Sequence, residues 1–234
     1  MLGLLLFMLS LAANAPGAPP VDSDPIPPAR LAAAARAIQN ACIAEYPPDL
    51  LARMTGRSGP VPEAVRSDPR LQIQYLRTED VTGRGLFYPS LLDDLIPAFR
   101  AEVLPGRRFL DLGSGDGRVV FLAAFLGAEA TGIEYEREMD RLARRARKRL
   151  GGLVPSGRAR LRRGDFFRED LSRYDVLFYY GQGSYVEDRL LEKIAREMRP
   201  AAVALFSFMK RSPPGLELVA THGNVGVYRR APGN

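Results

Sequence analysis

Beyond residue 106 two hydrophobic rhythms alternate along the chain. Short runs read as strands at 107–112, 129–134, 159–163, Tyr174–Tyr180 and Ala201–Phe208, the first buried and the last two apolar. Between them lie longer stretches with apolar residues every third or fourth position, which predict helices over about 117–126, 136–150 and 184–198. Gly151-Gly152 stops the second of these. The tail, Leu216–Thr221 and Val225–Arg229, predicts a closing pair joined through His222-Gly223-Asn224. Strands alternating with helices require crossover connections, so the pattern predicts an α/β fold with a doubly wound, mostly parallel sheet and an antiparallel C-terminal strand.

The N-terminal part has a different rhythm. Residues 1–13 are apolar and uncharged, and Ala13-Asn14-Ala15 has the small-x-small form of a signal-peptidase site. That run is shorter than the roughly 20 residues of a membrane span. It reads as a signal-like or anchor segment over 1–15, against the alternative of a start upstream of the true domain. A Pro/Ala-rich linker follows over 16–28. Leu31, Ala35, Ile38, Ala41 and Cys42 then have helical spacing, and Tyr46-Pro47-Pro48 ends that helix. An N-terminal helical extension is expected over 29–84, and the main domain over 85–234. Within the latter, Ser90 is placed as the N-cap of a helix from Leu91 to Phe99.

Composition narrows the chemistry. A formal charge of +6 allows an acidic partner without demanding one. With Cys42 and His222 the sole residues of their kinds, an intramolecular disulfide and a multi-cysteine or zinc site are excluded, and no metal is expected.

Three features fall at successive strand ends. The first is Asp111-Leu112-Gly113-Ser114-Gly115-Asp116-Gly117, a turn with little backbone bulk that can bring N–H groups close to a ligand. The second is Glu134, whose carboxylate can accept both hydroxyl hydrogens of a ribose. The third is Gly164-Asp165-Phe166, where an acid and an aromatic suit the amino edge and face of an adenine. Strand ends of this kind are neighbours in a doubly wound sheet, and together they imply an adenosine. A dinucleotide fits less well. Its fingerprint needs a glycine where Arg118 stands, and Asp116 would face a pyrophosphate. Asp111 has two readings of equal weight, touching the ligand or holding the turn by accepting from backbone N–H groups.

The set resembles motif I and the following motifs of the class I S-adenosylmethionine-dependent methyltransferases. Two groups in that superfamily are most similar. Arg163-Gly164-Asp165-Phe166 resembles the nucleosome-core histone lysine methyltransferases, and Phe87-Tyr88-Pro89-Ser90 with Asp-Leu-Gly-Ser-Gly-Asp-Gly-Arg resembles the lysine methyltransferases of the ATP synthase c-subunit. The resemblance implies a Rossmann-like seven-stranded sheet and S-adenosyl-L-methionine as cofactor. It implies a cofactor-contacting set of Asp111, Leu112, Gly113, Ser114, Gly115, Asp116, Gly117, Glu134, Tyr135, Asp165 and Phe166. It also implies N-methylation of a protein lysine, with a small-molecule or RNA methyltransferase, or a non-catalytic adenosine-binding module, as alternatives. The Asn-Pro-Pro motif that many amine and base methyltransferases place after strand four is absent, since Phe178-Tyr179-Tyr180-Gly181-Gln182-Gly183 stands there.

Tyr88, Tyr180 and Gln182 are the candidates for the acceptor channel, with Tyr179 or Tyr180 read alternatively as core strand residues. The basic run Arg141, Arg144, Arg145, Arg147, Lys148 and Arg149, continuing to Arg158, Arg160, Arg162 and Arg163, offers a phosphate-facing patch for nucleic acid. A solvated helix face is the favoured reading, because no aromatics interleave to stack bases. The donor is made in the cytosol, which sets a cytoplasmic or membrane-associated location against the signal-like N-terminus.

Overall fold

The computed structural model describes residues 26–46, 89–181, 185–208 and 213–231. The expected signal-like segment, most of the linker and residues 47–88 lie outside the described residues, and with them the acceptor candidate Tyr88; the candidate Gln182 lies outside them too.

Twelve longer elements are described. They run α1 (Pro28–Ile43), α2 (Leu92–Glu102), β1 (Arg108–Leu112), α3 (Arg118–Phe125), β2 (Glu129–Glu134) and α4 (Arg137–Leu150), then β3 (Ala159–Arg163), β4 (Val176–Tyr180), α5 (Tyr185–Glu197), β5 (Val203–Ser207), β6 (Leu216–His222) and β7 (Val225–Arg230). The seven strands form one sheet in the order β3-β2-β1-β4-β5-β7-β6. β3, β2, β1, β4 and β5 run parallel, and β7 pairs antiparallel with both β5 and β6. The chain order reverses between β1 and β4, which makes their carboxyl ends the switch point where open α/β sheets bind ligands.

Period-two alternation sorts the strand side chains to two faces. Phe109, Val176, Phe178, Val203 and Leu205 enter one core layer, and Leu110, Leu112, Leu177, Tyr179, Ala204 and Phe206 the other. The first layer is sealed by Phe99, whose ring lies 5.5 Å from that of Phe109 and 5.6 Å from that of Phe178. Helix α3 is apolar all round because it is covered on both sides, by the sheet and by α1. Its small residues Ala123 and Ala124, both fully buried, let those two layers approach. Helix α4 is amphipathic, burying Met139, Leu142, Ala143, Ala146 and Leu150 together with Asp140, and turning most of its arginines outward. The arginine-rich β3 forms one sheet edge, and β6 forms the other with an irregularity between Leu218 and Ala220; charges and bulges both blunt edge-to-edge association.

One expectation is corrected here. Ser90 does not cap α2. The helix starts one residue later, with Leu91 at the cap in extended conformation and no side-chain cap bond. Its first N–H is satisfied from outside: Leu92 N donates to Oε1 of Gln39 on α1 at 3.0 Å. A buried helix start needs a partner for its orphan donors, and the packing of α1 supplies it.

The basic run also has structural work. Arg145 and Arg149 both pair with Glu45 just beyond α1, at 2.9 and 2.7 Å, while Arg144 pairs with Asp140 and donates to the Leu161 carbonyl. Arg147 donates to the carbonyls of Gly151 and Pro155, and Arg158 to that of Gly127. These side chains clamp α1 onto α4 and fasten the loop that enters β3.

Candidate active site

The glycine turn follows β1 at the switch point. Gly113, Gly115 and Gly117 have φ of 87°, 52° and 81°, a left-handed region that side chains rarely adopt, which accounts for the alternate-glycine spacing. Gly117 has a second reason to be glycine, since a Cβ there would stand 2.9 Å from the Phe121 ring. Sequence reasoning missed Gly132, in the middle of β2. A Cβ at that position would lie 2.6 Å from Val120 and 2.7 Å from Ser114, so this glycine lets the turn sit down on the neighbouring strand.

Glu134 ties three strand ends together. Its carboxylate accepts from Gly115 N and from Glu136 N, each at 2.7 Å. Its backbone carbonyl accepts from Gly164 N at 2.9 Å. The preceding carbonyl, that of Ile133, accepts from both Gly113 N and Ser114 N at 3.0 Å. The three features that are separate in sequence therefore meet at the end of β2. Burial pushes the Glu134 carboxyl above the usual range, opposed by the bonds from Glu136, Gly115 and Tyr135.

Beyond Glu134 a cleft of about 430 Å³ opens over the ends of β2 and β3, lined by Ile133, Tyr135, Gly164, Asp165, Arg163 and Arg168 among others. Tyr135 is exposed. Asp165 Oδ1 accepts from Phe167 N at 2.9 Å and so caps the short 3₁₀ turn Phe166–Arg168, leaving its second oxygen available. Phe166 reaches back towards the glycine turn: a Cβ on Gly113 would stand 3.9 Å from its ring.

Two acids of the turn differ from each other in role. Asp111 is 3% exposed, and burial raises its carboxyl well above the usual range, with the charges of Glu134 and Asp116 adding to the rise. Asp116 corrects an expectation, because its carboxylate does not face a ligand position. It is 1% exposed and turned into the core, where Arg118 Nη2 lies 2.6 Å away, Arg118 Nε donates to both oxygens at 3.0 Å, and the Tyr46 hydroxyl donates at 2.9 Å. The case against a pyrophosphate thus loses Asp116 and rests on the missing glycine, where Arg118 stands. Arg118 and Tyr46 are the partners that sequence reasoning left without a role.

At the switch point the two tyrosines separate. Tyr179 is buried in the core layer that also holds Phe206. Tyr180 is half-buried at the end of β4, and its ring lies 5.2 Å from that of Phe208. Phe208, just past β5, is 47% exposed with φ of 57°. Its N–H donates to the Asn224 carbonyl at 3.1 Å, which holds this bend against the β7 side. A bulky side chain in left-handed backbone conformation is uncommon and marks a place where neighbours dictate the geometry.

The model of the ANTKMT methyltransferase domain matches residues 111–208, a span that starts at Asp111 and ends at Phe208. Residues 111–208 thus match a methyltransferase domain, and the fold around them is that of the class I S-adenosylmethionine-dependent methyltransferases. Among solved structures, the fold is similar to that of an RNA methyltransferase from Salinibacter ruber in complex with S-adenosyl-L-homocysteine. That likeness has a TM-score of 0.51 and 24% identity over 62% of this chain and 95% of the other. A point mutant of MtNAS is also similar, with a TM-score of 0.50 and 14% identity over 87% of this chain and 76% of the other. Among curated proteins no sequence matches the methyltransferase. Carboxylates gather around the turn, with Asp111 beside Glu134, a setting that suits a positively charged ligand, and no cluster of metal-ligating side chains occurs among the described residues.

Proposed function

We propose that the methyltransferase N-methylates a protein lysine, with the amine brought to the carboxyl ends of β4 and β5 against the packed rings of Tyr180 and Phe208. The observation that carries this reading is the half-exposed aromatic pair at the carboxyl ends of β4 and β5, β4 being the strand that pairs with β1. The ANTKMT domain match and the resemblance of the motifs to protein lysine methyltransferases support the same acceptor.

In this reading Gly113, Gly115 and Gly117 admit the amino-acid end of the cofactor, Glu134 takes the ribose hydroxyls, and Asp165 and Phe166 take the adenine edge and face, with Tyr135 on the open side. The cofactor supplies a methyl group on a sulfonium, ready for in-line displacement. The chain's own residues supply orientation and a water-poor wall. A lysine ammonium must lose its proton before it can attack, and burial against aromatic rings disfavours the charged form. No dedicated base is required for that.

The test uses purified protein and labelled cofactor with cell lysate sorted into protein, RNA and small-molecule fractions, followed by mass spectrometry of the labelled fraction. Label on lysine side chains of protein is the expected result. Label confined to RNA or to small molecules would replace the acceptor, and no incorporation despite cofactor binding would favour the binding module. Phe208→Ala is expected to lower kcat/KM for the protein acceptor about tenfold, near 1.4 kcal/mol, while leaving cofactor affinity unchanged. An unaltered kcat/KM would remove Phe208 from the acceptor site.

Asp111 gives this reading a pH signature. Its carboxyl stands well above the usual range because it is buried, with Glu134 and Asp116 adding to the rise. A cation placed opposite favours the ionised form, so binding expels a proton. Cofactor affinity is therefore expected to rise as pH climbs from the ordinary carboxylate range through the raised one, and then to level off. Asp111→Asn removes the charge and flattens the profile at a weaker affinity. Titration calorimetry across pH, in buffers of different ionisation enthalpy, measures both the slope and the released proton; a sloping profile in the Asn variant would assign the effect elsewhere.

A further inference from the structure

A turn built on three left-handed glycines has little shape of its own, since glycine occupies both signs of φ with similar ease. Something outside the turn must fix it. On the side of the sheet this is done by the Ile133 carbonyl and the Glu134 carboxylate. On the opposite side it is done by Asp116, whose partners come from three other places in the chain. Tyr46, just past the end of α1, donates its hydroxyl to Oδ2 at 2.9 Å. Cys42, in the last turn of α1, places its thiol 3.6 Å from the Asp116 carbonyl oxygen. Arg118 pairs with the carboxylate and at its other end donates to the Ser90 carbonyl at 3.3 Å, which fastens the segment leading into α2. All five residues are buried, none more than 6% exposed.

We infer that this network is a clamp through which α1 sets the shape of the cofactor turn, and that Tyr46 is a positioning residue for cofactor binding although it touches no ligand position. The inference rests on the assignment of the glycine turn to the cofactor. Its logic is one of distance in the chain: Tyr46 is far from the turn in sequence, yet its hydroxyl ends on the one turn residue whose side chain points away from the sheet edge. Loss of that bond leaves Asp116 with Arg118 alone and frees the 115–117 backbone to relax. Gly115 N, which must stay aimed at Glu134, is the first donor to suffer. Affinity for the cofactor thus depends on the seating of an element outside the strand–helix alternation that carries the motifs.

The experiment measures S-adenosyl-L-homocysteine binding by titration calorimetry on the full chain, with the thermal midpoint of the ligand-free protein recorded alongside. Tyr46→Phe keeps the ring and removes only the hydroxyl, and it is expected to weaken binding about tenfold. Ile38→Val, a fully buried position on the same helix with no part in the network, serves as the stability control. It is expected to lower the midpoint while leaving the dissociation constant within about twofold. Should Tyr46→Phe fail to fold, Cys42→Ala takes its place, with a weakening of about threefold expected. The inference is overturned if Tyr46→Phe binds within twofold of the wild type, or if Ile38→Val weakens binding as much. Failure of the wild type itself to bind would instead sink the cofactor assignment of the turn, so the two failures are distinguishable.

Discussion

Asp116→Ala is expected to destabilise the protein by about 3–5 kcal/mol, the cost of breaking a buried ion pair from one side. The side chains of Asp116 and Arg118 are 2% and 3% exposed, so solvent does not take over when one is removed. The guanidinium would stay in the core with the Ser90 carbonyl still accepting from it, and the Tyr46 hydroxyl would lose its 2.9 Å bond to the carboxylate. For a domain whose total stability is about 5–15 kcal/mol, that is about a fifth of it at the least. The exposed pair Arg196–Glu197 makes the contrast: its side chains are 68% and 24% exposed, and Arg196→Ala should fall within about 0.5 kcal/mol of the wild type. Urea denaturation of the two variants reads the difference directly, and a loss below 1 kcal/mol for Asp116→Ala would mean that water reaches the pair. The double replacement Asp116→Leu with Arg118→Met removes both charges together and should recover most of the stability, because a buried pair rarely outperforms apolar residues of similar volume.

That network also shows where a sequence stops being legible. The strands after residue 106 could be read because each is a short run closed by a glycine, an acid or a turn, and β4 and β5 are apolar almost throughout. Their observed ends fall within about two residues of expectation, as is usual for such boundaries. The glycine turn was legible too, since only a left-handed backbone calls for glycine at alternate positions. What could not be read is the orientation of a side chain whose partner is remote. Asp116 looks like an exposed turn acid until α1 is laid over it, and Ser90 looks like a cap until Gln39 is found occupying the donor it would have served. Arg118 holds a place where a dinucleotide fold has glycine, and its charge argued for exposure. Its burial follows from an acid two residues earlier, a spacing that local pattern does not weight.

The basic run teaches the same lesson with the opposite sign. On helical spacing alone, Arg144, Arg145, Arg147 and Arg149 form a charged face open to any acidic partner. The fold gives Arg145 and Arg149 a shared acid at Glu45, which is remote in sequence, and gives Arg144 and Arg147 carbonyls in the approach to β3. The solvated-face reading was nearer, yet it missed that these arginines join α1 to α4. Phe208 was hidden for a third reason. It was placed at the end of a strand, and only its left-handed φ together with the nearby Tyr180 ring marks it out from the buried Phe206 two residues before.

Glu134→Ala is expected to weaken cofactor binding by two orders of magnitude or more while leaving a folded protein. The carboxylate does two jobs that a methyl group cannot. It accepts from Gly115 N and Glu136 N at 2.7 Å, holding the turn and the start of α4 at their present distance, and in the proposed site its remaining lone pairs take two ribose hydroxyls. Hydrogen bonds to a charged group contribute about 1.5–3 kcal/mol each, so losing the two ribose bonds alone corresponds to about 3–6 kcal/mol, or a factor of at least a hundred. Glu134→Gln separates the two jobs. A glutamine keeps one acceptor oxygen and offers two N–H donors, so whichever backbone N–H faces the amide nitrogen meets a donor instead of an acceptor. The Gln variant should therefore bind almost as poorly as the Ala variant, although it preserves shape. Burial already pushes the Glu134 carboxyl above its usual range, which makes the neutral replacement less costly to stability than to binding. Calorimetry with S-adenosyl-L-homocysteine and thermal melts of the ligand-free variants supply both numbers. A Gln variant that bound like the wild type would show that the carboxylate's charge is not what the ribose needs, and the site would have to be rebuilt around Asp165.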